Sequence, residues 1–348
     1  MTFSRLFRPF WCLVGCVFLL ALYGCKKQVH SKTKRLKKAI HQKTTLKKPL
    51  SKKNAYKKKG SIRLLTYNVW FSRDRIGKRL PAIFDILQRS QADVIALQEV
   101  TPWFLRALRK QSWSKTYHFS SEFASGSKQR HRGNVPGGVL ILSRRRLFSA
   151  DYRRLPGRMG RMVLIAKFRV GNEKWSVATV HLESLMQDGP IRAKQLAYTA
   201  PLLKNSDVSV LLGDYNFAPK REPESAYLAK FYPHFVDSWE FVHPGKPGYT
   251  WDMQKNGYAK KNSFAEEKSG RIDRVIYQGK HWKATQATLI GTQPLSKRDK
   301  RWFPSDHFGL LVTLTRKISK ANKAVKVLER IQTSKGTSKK SKKKLPKK

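Results

Sequence analysis

The chain has 348 residues, with 73 Lys or Arg against 22 Asp or Glu, a formal net charge of +51. A chain this basic should bind polyanions whatever its fold, and 40% apolar residues are enough to build a core. Its three cysteines, Cys12, Cys16 and Cys25, all lie near the N-terminus, which excludes a disulfide or a cysteine metal site from the rest of the chain.

Met1–Pro9 carries Arg5 and Arg8, and Phe10–Leu22 is apolar and uncharged. A short basic region followed by a short apolar run reads as a secretory signal over residues 1–25. The run is too short to be read with ease as a membrane span. Leu22-Tyr23-Gly24-Cys25 resembles a bacterial lipobox, although Tyr23 is unusual there. The expectation is an exported protein, held at the membrane by a lipid on Cys25 or secreted, with an uncleaved anchor as the remaining alternative.

Residues 26–60 hold 15 Lys or Arg and no acid, and show no apolar period, so a disordered basic linker is expected. A catalytic domain is expected over residues 61–315 and a basic tail over 316–348; from Thr315 onward there are 14 Lys or Arg against Glu329 alone. Setting aside both tails, Arg5 and Arg8 leaves +21 on residues 61–314, so the domain is itself basic. The tails read as arms for DNA, RNA or anionic lipid, or as solvated spacers.

Between the tails the pattern is strand-rich. Strands are expected at Ile62–Asn68, Asp93–Val100, Gly138–Ser143, Met162–Val170, Trp175–Glu183, Val208–Asn216, Ile272–Gln278 and Gly309–Leu314. Leu80, Ile83, Phe84 and Leu87 recur at helical spacing, placing a helix from about Arg79 with Pro81 in its first turn. A second helix is expected over Pro190–Leu203, with Pro201 kinking or stopping it. This mixture points to a layered α/β sandwich.

Six polar clusters sit at strand ends: Tyr67-Asn68, Gln98-Glu99, His181-Leu182-Glu183-Ser184, Gly213-Asp214-Tyr215-Asn216, Arg271-Ile272-Asp273 and Ser305-Asp306-His307. Each alone is as well explained by a cap, a turn or a structural histidine. Together they form a set of carboxylates, amides and imidazoles without thiols, which suits a hard, oxygen-binding cation such as Mg²⁺. Gly133–Gly138 lacks the Gly-Lys-Ser/Thr ending of a nucleotide loop and reads as a surface loop. Arg144–Arg146 reads as a solvated turn.

The order Thr66-Tyr67-Asn68, Leu97-Gln98-Glu99-Val100, Gly213-Asp214-Tyr215-Asn216 and Ser305-Asp306-His307 resembles the endonuclease/exonuclease/phosphatase superfamily over about Ile62–Leu314. His181-Leu182-Glu183-Ser184, Tyr249-Thr250-Trp251-Asp252 and Arg271-Ile272-Asp273-Arg274 look like its 5′-tyrosyl-DNA phosphodiesterase branch. The resemblance implies a four-layered sandwich of deoxyribonuclease I type, with two central sheets flanked by helices. It also implies a phosphodiesterase dependent on Mg²⁺, or alternatively Mn²⁺, acting on nucleic acid.

By the same resemblance Glu99, helped by Asn68 and Asp306, would hold the metal. Asp214 would be the general base, Asn216 would orient water or phosphate, and Asn68 would support the phosphate. His181 and His307 would donate to phosphoryl oxygens, with Asp273 paired to His307. Ser184, Trp251 and Tyr67 are expected at the substrate; Trp251 reads equally well as a core residue, and Glu183 as a strand-end ion-pair partner. The alternatives are a phospholipid or phosphoinositide phosphodiesterase and a non-catalytic polyanion-binding surface protein. No feature of the sequence calls for an obligate protein partner.

Overall fold

A computed structural model describes residues 60–123 and 135–317. The expected signal, lipobox-like segment, linker and tail from residue 318 onward lie outside the described residues. The chain begins with β1 (Ser61–Asn68), α1 (Ile76–Ser90), β2 (Val94–Gln98), α2 (Pro102–Arg109), β3 (His118–Phe119) and β4 (Leu140–Ser143). There follow β5 (Ser149–Arg154), β6 (Met162–Val170), β7 (Glu173–His181), α3 (Gly189–Thr199), β8 (Val208–Asp214), α4 (Glu224–Phe231), β9 (Val236–Asp237) and α5 (Ser238–Val242). The last elements are α6 (Gly257–Asn262), β10 (Asp273–Gln278), β11 (Trp282–Ile290) and β12 (Gly309–Arg316).

Two six-stranded sheets result, ordered β11-β12-β1-β2-β4-β3 and β5-β6-β7-β8-β10-β9. Each has one parallel pair at its centre, β1/β2 and β7/β8. A parallel pair needs a crossover, and the crossovers carry α1 and α3 respectively. Open sheets collect ligands beyond the carboxyl ends of such strands. Here those ends are Asn68, Gln98, His181 and Asp214.

Side-chain alternation sorts the strands into layers. Ile62, Leu64, Val94 and Ala96 of one sheet share a buried cluster with Leu164, Val177, Val210 and Val275 of the other. The opposite faces carry Leu65, Ile95 and Leu97 against Ile83, Leu87, Phe104 and Leu108 of α1 and α2, and Val163, Val180 and Leu211 against Leu196 of α3. At about 1.5–3 kcal/mol for each large side chain fully buried, the central cluster is what keeps the two sheets in fixed alignment. Helix, sheet, sheet, helix is the four-layered arrangement anticipated.

All eight anticipated strands form. β3, β5, β9 and β11 were not anticipated: β3 and β9 have two residues each, and β5 and β11 are edge strands with largely exposed or half-exposed faces. α1 starts at Ile76, so Pro81 lies inside it and not in the first turn. Pro81 and Gly77 are both exposed, so water can satisfy the carbonyl that the proline leaves without a helical donor. α3 ends at Thr199 and Pro201 opens a short 3-10 turn, as anticipated.

Candidate active site

Strand parity aims four side chains into the gap between the sheets at one rim. Asn68 continues the face of Ile62 and Leu64, His181 that of Trp175 and Val177, and Asp214 that of Val208, Val210 and Leu212, while Asp273 leads that of Val275 and Tyr277. On β2 the gap position falls to Gln98. Its Nε2 donates to Thr179 Oγ1 on β7 at 2.9 Å and its Oε1 accepts from Thr66 Oγ1 at 3.3 Å, so it ties the sheets together. Glu99 reaches the rim because its backbone turns left-handed, with φ 59°. At the same rim β8 passes β7 so closely that a Cβ on Gly213 would lie 2.1 Å from the Val180 carbonyl oxygen.

These residues form one network. Asn68 Nδ2 donates to Glu99 Oε1 and to Asp214 Oδ2, both at 3.0 Å. Asn68 Oδ1 accepts from Trp70 N at 3.0 Å, and Glu99 Oε2 accepts from Phe71 N at 2.9 Å. Asp214 Oδ1 accepts from Asn216 N at 3.0 Å, while Asn216 Nδ2 donates to Leu182 O at 2.9 Å. Asp214 Oδ2 lies 3.5 Å from His181 Nε2 and 3.7 Å from His307 Nε2. His307 Nδ1 lies 2.8 Å from Asp273 Oδ2. Asp306 accepts from Asn262 Nδ2 at 2.9 Å and Ser305 Oγ at 3.2 Å.

The two imidazoles carry different charge. Burial, the largest influence on His307, opposes its protonation, but Asp273, Asp214 and Asp306 outweigh it and raise the pKa well above the ordinary value. Burial, Arg161 and His307 push His181 well below it. Arg161 Nη1 is 2.8 Å from His181 Nδ1. A guanidinium only donates, so Nδ1 accepts, and the ring is neutral with its proton on Nε2, toward Asp214. Burial raises the Asp214 and Asp306 carboxyls to about 6, against the opposing pull of His307.

The sequence reading missed Arg161 and the roles of Glu183 and Arg79. Arg161 precedes β6 in a loop that no motif marks. Glu183, expected as a strand-end ion-pair partner, clamps that loop: its Oε1 accepts from Arg158 N at 2.8 Å and Met159 N at 2.9 Å. A Cβ on Gly157, where φ is 140°, would lie 2.3 Å from that oxygen. Arg79 is fully buried and donates to the carbonyls of Val69, Trp70, Ser72, Asp74 and Pro304 at 2.7–3.3 Å. It thereby fixes the β1–α1 loop whose Trp70 and Phe71 amides face Asn68 and Glu99. Its signal was present: Arg79 shares the buried stripe of α1 with Ile83 and Leu87.

Tyr67, expected at the substrate, is instead fully buried among Leu65, Ile83 and Leu87. The correction follows from alternation, since neighbours on a strand point to opposite faces and Asn68 takes the gap side. Ser184 lines the cleft and accepts from Arg161 Nη2 at 3.2 Å. Trp251 also lines it, but is only 6% exposed and packs on His307 with ring centroids 4.9 Å apart. Arg144–Arg146 follow β4, away from the cleft lining.

The cleft encloses about 600 Å³. Phe71, Met159 and Phe264, exposed by 60%, 46% and 45%, contribute apolar walls. Its lining carries the carboxylates of Asp74, Glu99, Asp214, Glu267 and Asp306 against the His307 imidazolium, Arg161 and Lys261. Carboxylates outnumber cations in this lining, and a divalent cation fits it. Asp214, Asp273 and His307 place ligand atoms within 4.8 Å of one another, but an imidazolium has no lone pair to offer a metal. Glu99 and Asp306, which also line the cleft, are the better holders.

The model of the Endonuclease/Exonuclease/phosphatase family matches residues 65–307, and the chain belongs to that family. Over 259 residues it is 28% identical to tyrosyl-DNA phosphodiesterase 2 of Xenopus laevis, covering 71% of this chain and 64% of that protein. Against the Homo sapiens protein of the same name the figures are 28% over 263 residues, 72% and 67%. The chain thus spans just under two thirds of the Xenopus relative. Danio rerio TDP2 complexed with single strand DNA product shares the fold, with a TM-score of 0.60 at 23% identity over 73% of this chain and 99% of that one.

Proposed function

We propose that this protein is a Mg²⁺-dependent phosphodiesterase that hydrolyses phosphate esters at nucleic-acid ends. One observation carries the reading: a single carboxylate oxygen, Asp214 Oδ2, is bonded to Asn68 and lies within 3.7 Å of the Nε2 atoms of both histidines. On this reading one base and two donors would act together on a phosphate bound in the cleft. The kinship with tyrosyl-DNA phosphodiesterases and the +21 of the domain support a nucleic-acid substrate.

Asp214, with its neighbour Asn216 to orient water, takes the proton as the water oxygen bonds to phosphorus and the ester P–O bond breaks. His307 as imidazolium and neutral His181 through Nε2–H donate to the phosphoryl oxygens as their charge grows, an effect that is strong because the donors are fixed beforehand. Asp273 keeps His307 charged and oriented. Arg161 holds the His181 tautomer and, with Ser184, presents further donors to the cleft. Glu99 and Asp306 would hold Mg²⁺, which when bound would supply Lewis-acid stabilisation of phosphoryl charge.

The full chain is tested with Mg²⁺ on 5′-tyrosyl oligonucleotide, single-stranded DNA, plasmid, sphingomyelin and phosphoinositides. Turnover of a nucleic-acid substrate, abolished by chelation, is expected. Turnover of lipid alone moves the substrate to phospholipid, and no turnover at all rejects the enzyme. We also infer export, from the N-terminal pattern alone; a cytoplasmic location on fractionation of cells expressing the chain rejects it.

A further inference from the structure

The loop between β11 and β12 carries Lys297, Arg298, Lys300 and Arg301, all exposed, with one acid among them. That acid, Asp299, is already paired to Arg301 at 3.0 Å. The loop is docked. Leu295 N donates to Trp302 O at 2.7 Å, and Gly257 N of α6 donates to Arg301 O at 2.8 Å. The Trp302 ring packs on Tyr258 at 4.6 Å, and the Arg75 guanidinium lies 4.5 Å above it. On the cleft side Lys261 of α6 approaches Asp74 at 3.8 Å, and both residues line the cleft. Six cations therefore continue outward from the catalytic rim on three segments that pack against one another.

We propose that this shelf carries the phosphate backbone of a single nucleic-acid strand away from the cleft. Strand binding combines a cationic track with aromatic faces for the bases. The aromatic faces here are Phe71 and Phe264, exposed within the concave cleft and adjoining the track. A lipid surface would require apolar groups on a convex face. The inference rests on the reading that the site takes nucleic acid, and it adds where the substrate beyond the scissile phosphate lies.

The test uses the full chain with Lys297, Arg298, Lys300 and Arg301 each changed to Gln. A control set changes Lys174, Lys204, Lys280 and Lys283 to Gln; these are exposed near the opposite ends of β7, β8, β10 and β11. Binding of a 20-nucleotide single-stranded DNA is measured against salt. The shelf variant should bind about tenfold more weakly, and its salt slope should flatten by about 2–3, at roughly 0.7 for each phosphate no longer neutralised. The control should change neither, and kcat on a dinucleotide ester should hold within about twofold. An unchanged slope in the shelf variant, an equal change in the control, or a loss confined to phosphatidylserine vesicles overturns the proposal. If strand binding responds as expected while no ester is cleaved, the shelf stands and the enzymatic reading fails.

Discussion

The two sheets repeat one topology, a parallel pair bridged by a helical crossover and flanked by antiparallel strands, yet they place different chemistry at corresponding ends. At the ends of β1 and β2 stand Asn68 and Glu99, the latter half-buried and held by a backbone amide. At the ends of β7 and β8 stand His181 and Asp214, fully enclosed and surrounded by Arg161, Asn68 and His307. On the proposed function this difference divides the work between the halves. Glu99 keeps partial exposure, which suits a cation ligand, whereas burial moves the Asp214 carboxyl toward neutral pH, which suits proton transfer. Asn68 and His307 cross the gap between the halves, so the site exists only while the central core holds the sheets in alignment.

The largest expected effects break one half at a time. Asp214→Asn should lower kcat by about 10²–10⁴-fold, the range for loss of a general base, without moving the Mg²⁺ midpoint of whatever activity remains. Glu99→Gln should lower activity at fixed Mg²⁺ comparably, but with that midpoint raised by at least about tenfold. Titrating Mg²⁺ against initial rate for both variants separates the two. If both midpoints shift alike, the halves are one metal site and the division fails.

A pH profile sharpens the same division. As the proposed base Asp214 would act ionised, and burial raises it to about 6, so kcat/KM should fall as pH drops through about 6. Stability should run the other way. A carboxyl whose folded pKa exceeds its unfolded one stabilises the fold at pH below about 4, and that contribution is lost as pH rises through about 6. His307 has a raised folded pKa, so its contribution is complete below about 6.5 and is lost only as pH rises through that higher folded value. Asp273→Asn removes the leading carboxylate that holds it there, and should bring a basic limb into the neutral range, costing about tenfold in kcat at pH 8. A profile identical to that of the unaltered protein would remove the Asp273–His307 pair from the chemistry.

The fold was legible because apolar strands facing two layers are written as continuous runs, such as Val94–Leu97 and Val208–Leu212. The site was legible where a short string ends such a strand. Two kinds of information were not local. Arg161 reaches His181 only because Glu183 folds the preceding loop back, and Arg79 acts on carbonyls from residues 69 to 304. Neither relation leaves a spacing in the sequence. The edge strands also went unread, since β5 and β11 have too few buried positions to show a period.

Tyr67 offers the smallest effect and, beside Asn68, a sharp contrast between neighbours. Asn68→Ala should cost about 10²-fold in kcat, since it removes the donor that joins Glu99 to Asp214. Tyr67→Phe should leave kcat and KM within about twofold. The Tyr67 hydroxyl is buried with no hydrogen-bond partner among the described residues, and burial drives its ionisation far above the ordinary range. Deleting an unsatisfied buried hydroxyl removes a desolvation cost and no bond, so the midpoint of thermal unfolding should stay level or rise slightly, by the equivalent of up to about 1 kcal/mol. A severalfold rise in KM with an unchanged melting point would mean that Tyr67 turns toward the substrate. The strand parity that places Asn68 in the gap would then be wrong for both residues at once, because a shift of one position exchanges their faces.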